Sequence, residues 1–393
     1  MGGTSPCSTM LISFFRLNFL EESPRHMKGL KLTIGFSPNK TRKKDLLGLR
    51  AFRQHIADLH FPHYNPHIAA SGRPADPRIS PGEARRRTMD LIAWNEQHTG
   101  FKFTLLLNYL LHDNYDVVVD NVRKEFYPRG VRSFVVADLE LIKRLKDALP
   151  DCEVQGSCLS HRMTEAELEE ERRVGVVLHN PSVNIIRNPA QLARNHRAGF
   201  AQKVIAFEGC LHNCPEENSL YGHRWHLARS LHQDRFYCRN PEVTLDPRVF
   251  FKANWVTIAR LKTLLPFISV VKLPRSGNSI LSVTRQFMHL YNTNASYNVA
   301  DFITSGYIKI IEKYIGAIPS HVFTDDFFET VDHCTMNCQE RGCRLCFDVM
   351  DEIRAINGGP KRYSVFTQAH RRVRNLLRST LNKAPWFGVD SAE

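Results

Sequence analysis

Lys203-Val204-Ile205-Ala206-Phe207-Glu208-Gly209-Cys210-Leu211-His212-Asn213-Cys214-Pro215 begins as a continuous apolar run and breaks abruptly into an acid, a glycine and two cysteines. A short, uninterrupted apolar run of this kind reads as a strand buried on both faces, which is how parallel sheets are built. Its first thiol should therefore emerge at a strand's carboxyl end, where parallel α/β folds keep their chemistry. A third cysteine follows at Phe236-Tyr237-Cys238, after a spacer rich in His and Arg. Two thiols with x3 spacing, a proline and a third thiol within reach suit an iron-sulfur cluster better than a disulfide.

Working outward, the same alternation recurs on both sides. Strand-like runs occupy residues 30–36, 63–70, 101–107, 131–136, 153–156, 183–186, 203–207 and 268–272. Most of the intervals carry helical spacing: Leu46, Leu49, Phe52 and Ile56 align on one face, as do Leu141, Ile142, Leu145 and Leu149. Helix starts are marked by Ser80-Pro81-Gly82-Glu83, by Asp138, by Thr164-Glu165-Ala166-Glu167 with Met163 and Leu168 as staple, and by Asn188-Pro189. Residues 115–126 and 254–265 are also expected to be helical. Eight strand units in about 250 residues predict a (β/α)8 TIM-like barrel. An open doubly wound sheet is the alternative, but no Gly-rich dinucleotide fingerprint follows the first strand.

The expected organisation is an extension over 1–27, disordered or mis-started, with Met27 an alternative start; the barrel over 28–292; and a helical, Cys-rich C-terminal extension over 293–393. Helices are expected at 278–291 and 299–315, followed by a basic helix around 370–381. With 42% hydrophobic and 24% charged residues, the chain can bury a large core. No apolar run reaches the roughly 18 residues of a membrane span. Ten cysteines without a signal peptide imply a reducing compartment, the cytoplasm. The net charge of +13 concentrates in residues 28–53 and 361–393. Such basic surfaces attract RNA, small anions or an acidic protein partner, although solvated basic helix faces would look the same.

Seven of the ten cysteines fall in two groups: Cys210, Cys214 and Cys238, then Cys334, Cys338, Cys343 and Cys346. The second group is compact. Structural zinc sites usually separate two close pairs by a dozen residues or more, whereas four-Cys runs this tight are more typical of cubane clusters. One or two 4Fe-4S clusters are the expectation, with zinc or free thiols as alternatives at the C-terminal group. A radical-SAM motif is excluded, because Glu217 occupies the position of its third cysteine. For a fourth ligand to the first cluster, Cys158 at another strand end competes with His223 and His226; Cys7 and Cys152 read as ordinary thiols.

Four cations, Arg73, Arg187, Lys272 and Arg275, lie at or just after strand ends. On a barrel rim they would grip an anionic substrate, unless they pair with Glu208 or Asp138 instead. Glu208, Lys272 and Arg275 are the candidate catalytic residues. No nucleophile elbow, His-Glu-x-x-His helix or phosphate loop is present.

Glu208-Gly209-Cys210-Leu211-His212-Asn213-Cys214-Pro215, Cys238, Lys252-Ala253-Asn254-Trp255 and Val271-Lys272-Leu273-Pro274-Arg275, taken in order, resemble the collagenase-like peptidase superfamily, family thirty-two of the unknown-mechanism class. The resemblance implies an iron-sulfur barrel, with Cys210, Cys214 and Cys238 as cluster ligands and Lys272 and Arg275 lining the site. It also implies oxygen-independent hydroxylation of RNA bases or quinone precursors, with prephenate as oxygen source; other members are called proteases. The chain lacks that family's His-Gly-Ala-Met-Cys and Ser-Gly-Arg-Cys signatures, and Phe207 and Pro274 stand where Asn and Gly are usual. The first reading is therefore an iron-sulfur barrel enzyme, an oxygen-independent hydroxylase of an anionic or RNA-linked substrate. A non-catalytic metal-stabilised RNA- or protein-binding scaffold and a peptidase are the alternatives.

Overall fold

The computed structural model describes residues 29–38, 40–65, 67–69, 79–108, 114–210, 212, 247–273, 279–303, 312, 315–334 and 342–358. Within them eight strands form one wholly parallel sheet in the order β6-β5-β4-β3-β2-β1-β8-β7. The strands are β1 Leu32–Gly35, β2 Ile56–Pro62, β3 Phe103–Leu107, β4 Ser133–Val136, β5 Glu153–Gly156, β6 Val176–Leu178, β7 Lys203–Ile205 and β8 Val270–Leu273. The two ends meet just beyond β6, where His179 bridges Gln202. His179 N donates to Ala201 O at 2.8 Å, and Lys203 N to His179 O at 2.7 Å. The architecture is the expected (β/α)8 barrel.

The helices between strands form for local reasons. α1 (Lys43–Leu49) is short, and α2 (Pro81–His98) starts on Ser80, whose Oγ accepts from Glu83 N at 3.2 Å. Glu83 binds Arg86 and Arg87 rather than returning to its cap, so this capping box is half formed. α3 (Tyr115–Asn121) runs on into a π turn, and α4 (Leu139–Ala148) is capped by Asp138 as expected. Before α5 (Glu165–Arg173), Thr164 and Glu167 complete a full capping box. Gly175, at φ +96°, turns the chain out of α5 into β6, a left-handed geometry that side chains disfavour. α6 (Pro189–Arg197) starts on Asn188. After β7 come α7 (Pro247–Phe251), α8 (Ile258–Leu264) and, past β8, α9 (Ile280–Thr293).

Two strands lie elsewhere than predicted. The sequence pattern places the second at 63–70, with Ile56 on a helical face. Instead α1 ends at Leu49, a 3-10 turn follows, and Ile56 opens β2. The sequence pattern predicts the sixth strand at 183–186; these residues form a 3-10 helix, Val183–Arg187, capped by Ser182, and the strand is Val176–Leu178. The helix expected to begin at residue 254 begins at Ile258, capped by Thr257. Of the helix expected over 299–315, a 3-10 turn Val299–Asp301 is described and residues 304–311 lie outside the described residues. Residues 1–27 and 370–381 also lie outside them. No helix among the described residues is long and apolar enough to cross a membrane.

The side chains that fill barrels of this kind are usually branched and apolar. Here the lumen is polar at its centre. Asp58 accepts hydrogen bonds from Thr33 Oγ1, from Thr104 Oγ1 at 3.1 Å and from Gln155 Nε2 at 2.9 Å. Gln155 also donates to Ser133 Oγ at 3.0 Å and accepts from Lys203 Nζ, which lies 3.9 Å from Asp58 Oδ2. Every member of this web is buried. The apolar core lies outside it, between the strands' other faces and the helices.

The C-terminal extension shares that core: Phe323, Phe328 and Ile353 belong to the same continuous cluster as the barrel residues. α10 (Asp325–Asp332) ends in a buried clasp. Asp332 lies 3.4 Å from Arg187 Nη1 and 3.1 Å from Arg260 Nη2. Burial raises the Asp332 pKa, opposed by the two guanidiniums. Removing one partner of a buried ion cluster strands the others, so Asp332→Ala should cost about 3–5 kcal/mol. Chemical denaturation measures it; a loss below about 1 kcal/mol would show that the clasp is an ordinary surface pair.

Candidate active site at the carboxyl ends of the strands

Alternation decides which residues face the lumen. Gln202 donates to Leu192 O and Phe267 O, so it faces the helices, as does its bridge partner His179, whose Nδ1 lies 2.9 Å from Glu171 Oε2 on α5. The next residue on β7, Lys203, therefore faces inward, and the same alternation carried past the bridge would turn Asn180 inward as well. Lys203 confirms this by reaching Gln155. Lys272 is in register with Thr33 on β1 and Ile205 on β7, so it too faces the lumen, half-buried. His60 Nδ1 sits 3.3 Å from Thr33 Oγ1, and beyond β5 Ser157 Oγ donates to Asn108 Oδ1 at 3.0 Å.

At the mouth Cys158, Val183 and Ile205 form a small buried cluster, against which Leu159 and Cys210 pack. Cys210 thus leaves β7 where the sequence placed it, and Cys158 shares its surroundings. The loop is fastened from the other side: Asn254 N donates to Cys210 O at 2.8 Å, and Asn254 Nδ2 to Asn184 Oδ1 at 2.9 Å. His212 Nδ1 lies 3.1 Å from Asn254 Oδ1. Glu208, half-buried, accepts from Gly209 N. Asn180 is buried with neither amide atom hydrogen-bonded, a condition that costs about 1–3 kcal/mol when nothing binds there.

Arg187, the second of the predicted rim cations, is 3% exposed. Its guanidinium donates to Phe251 O at 2.9 Å and Ala253 O at 2.7 Å, besides meeting Asp332. It fastens the segment after α7 to the extension. Arg73, Arg275, Cys214, Cys238 and Cys338 lie outside the described residues, as do His223 and His226.

Cys334, Cys343 and Cys346 line one pocket together with Arg248 and Phe347. α11 (Leu345–Ile356) begins at its edge. Lys252 Nζ donates to Cys334 O, so the segment carrying Arg248, Lys252 and Asn254 touches both cysteine groups. None of the described cysteines is in a disulfide. Soft thiol donors beside a cation fit a thiolate-bound iron-sulfur or zinc centre in donor chemistry. Among the described residues, no three His, Cys, Asp or Glu side chains converge on one ion position.

Sequence reasoning missed the Asp58–Lys203 web and Asn180. The signal for the first was available in Ile56-Ala57-Asp58-Leu59-His60-Phe61, whose polar and apolar residues alternate. Asn180 was hidden by the misplaced sixth strand.

No protein-family model matches the chain, and no curated protein does. Among solved structures it is similar to a U32 peptidase, at 13% identity over 66% of this chain and 97% of that one, with a TM-score of 0.44. The 7,8-dihydropteroate synthase from Vibrio fischeri is 9% identical over 68% of this chain and 95% of its own, at 0.33. A 2,3-dimethylmalate lyase is 10% identical over 80% and 93%, at 0.35. Likenesses this distant assign neither a family nor an activity.

Burial lowers the Lys203 pKa; Asp58 opposes the shift without cancelling it. Between the lowered value and the roughly 10.4 of a free lysine, the unfolded chain binds the extra proton, so stability should rise with pH across that window. Lys203→Met should flatten this rise relative to wild type in denaturation series between pH 7 and pH 10. Parallel curves for the two proteins would contradict the burial of the charge.

Proposed function

We propose that the chain is an iron-sulfur (β/α)8-barrel enzyme whose site is the mouth at the carboxyl end of β7, acting on an anionic or RNA-linked substrate. The observation that supports this most is the position of Cys210, which leaves a lumen-lining strand and packs on the Cys158–Ile205 cluster. Cys210, Cys214 and Cys238 would hold a 4Fe-4S cluster, and the motif resemblance supports the same three. When bound, such a cluster supplies an electron route or a Lewis-acidic iron.

The chain's own residues do the rest. Lys272 attracts the anion from the lumen side. Asn254 and His212 hold the Cys210 loop against the 3-10 helix that carries Asn184. Phe207, fully buried against Phe287 and Phe302, walls the site from water. The C-terminal thiols Cys334, Cys338, Cys343 and Cys346 would hold a second centre, iron-sulfur or zinc, beside Arg248.

Anaerobic purification of the full chain with metal and acid-labile sulfide analysis tests this reading. About four iron and four sulfide per cluster are expected. Cys210→Ala should remove the first set and leave the second; Cys343→Ala should do the reverse. Iron-free protein would overturn the enzyme reading in favour of a metal-stabilised scaffold if zinc remains, or of a peptidase if proteolysis is found without metal.

A further inference from the structure

Among the described residues, the buried side-chain atoms without a hydrogen-bond partner are both amide atoms of Asn180 and Nε of Arg260. Arg260 is otherwise held by Asp332 at 3.1 Å. Asn180 has no such anchor. It follows the His179–Gln202 bridge that closes the barrel, and the alternation of side chains turns it to the lumen beside Lys203. The polar groups described on the adjoining strand ends and the following 3-10 helix are engaged elsewhere. Ser157 Oγ donates to Asn108 and accepts from Leu159 N at 3.2 Å. Lys203 reaches Gln155, and Asn184 accepts from Asn254. A buried amide with both its donor and its acceptor unused is poised for a ligand that presents the complementary pair.

We infer that Asn180 is a ligand-recognition residue of the barrel mouth, taking an anionic molecule that carries an amide-like group with a donor and an acceptor side by side. The amide group meets the Asn180 fork while the negative charge turns toward Lys272, which shares the lumen face. Discrimination comes from the same contact: a ligand lacking the pair leaves the buried amide unsatisfied and is rejected. This rests on the mouth being the binding site, the reading proposed above.

The test uses the full chain purified anaerobically, with two apolar variants: Asn180→Leu, which keeps the branching but is larger, and Asn180→Val, which is closer in volume. If the amide serves a ligand rather than the fold, at least one ligand-free variant should melt about 2 °C above wild type, because an unsatisfied polar group has been removed. A lower melting temperature in both variants would overturn the inference. Succinamate, which joins a carboxylate to a primary amide whose C=O and syn N–H lie side by side, is the probe for the second readout. At millimolar concentration it should shift the Asn180 side-chain amide resonance and raise the melting temperature of wild type. It should act weakly on Lys272→Met and not at all on Asn180→Leu. No effect on wild type, or equal effects on wild type and Asn180→Leu, would also overturn it. Iron content separates the two readings: iron-free wild type with the predicted amide behaviour removes the cluster and keeps Asn180, whereas iron-loaded protein that fails the amide tests does the opposite.

Discussion

The carboxylate of Asp58 and the ammonium of Lys203, 3.9 Å apart inside a closed ring of strands, set the terms for the rest of the molecule. Two charges removed from water are tolerated only when their remaining hydrogen-bonding capacity is met. Thr33, Thr104 and Gln155 meet it, and they come from β1, β3 and β5. One buried carboxylate therefore ties together four strands, and Lys203 adds β7. A shift of register by one residue in any of them would turn its polar group toward the helices and strand the charges. The web thus specifies the barrel as well as filling it.

Toward the strand ends Lys272 faces the lumen in register with Thr33, the Cys158–Ile205 cluster packs against Cys210, and Asn180 follows the closing bridge. The segment after α7 fastens this region: Asn254 holds Cys210, and Lys252 holds the backbone at Cys334. Arg187 clamps the same segment from beneath while engaging Asp332 at the end of α10. Cys210 and Cys334, far apart in sequence, are consequently neighbours of one short stretch of chain. This gives the C-terminal extension a physical reason to be folded into the barrel's core rather than tethered to it.

The barrel was legible because most of its strands and helices carry strong local signals: Phe103–Leu107 is apolar throughout, and Asp138, Thr164 and Asn188 cap as their residue types imply. The two errors have different causes. A rule that parallel strands are continuously apolar fails where the lumen is polar, so Ile56–Pro62, with Asp58 and His60 turned inward, did not read as buried. Val176–Leu178 is three residues long and lies near the richer apolar run Val183–Arg187, which coils into a 3-10 turn after its serine cap. At the site, the exit of Cys210 from a strand followed from sequence, as did the kinship of Cys158 with it. The role of Arg187 did not, because a guanidinium at a strand end looks alike whether it awaits a substrate or holds backbone carbonyls. Asn180 carries no motif at all. Its burial without a hydrogen-bond partner is visible only in the fold.

Anomalous diffraction at the iron edge, from crystals of the anaerobically prepared full chain, tests the placement of the proposed chemistry most directly. A strong iron peak beside Cys210, where β7 ends in the mouth, is the predicted result. A map with no iron there, or with its only metal peak at Cys334, Cys343 and Cys346, would contradict an iron-sulfur site at the mouth of the barrel.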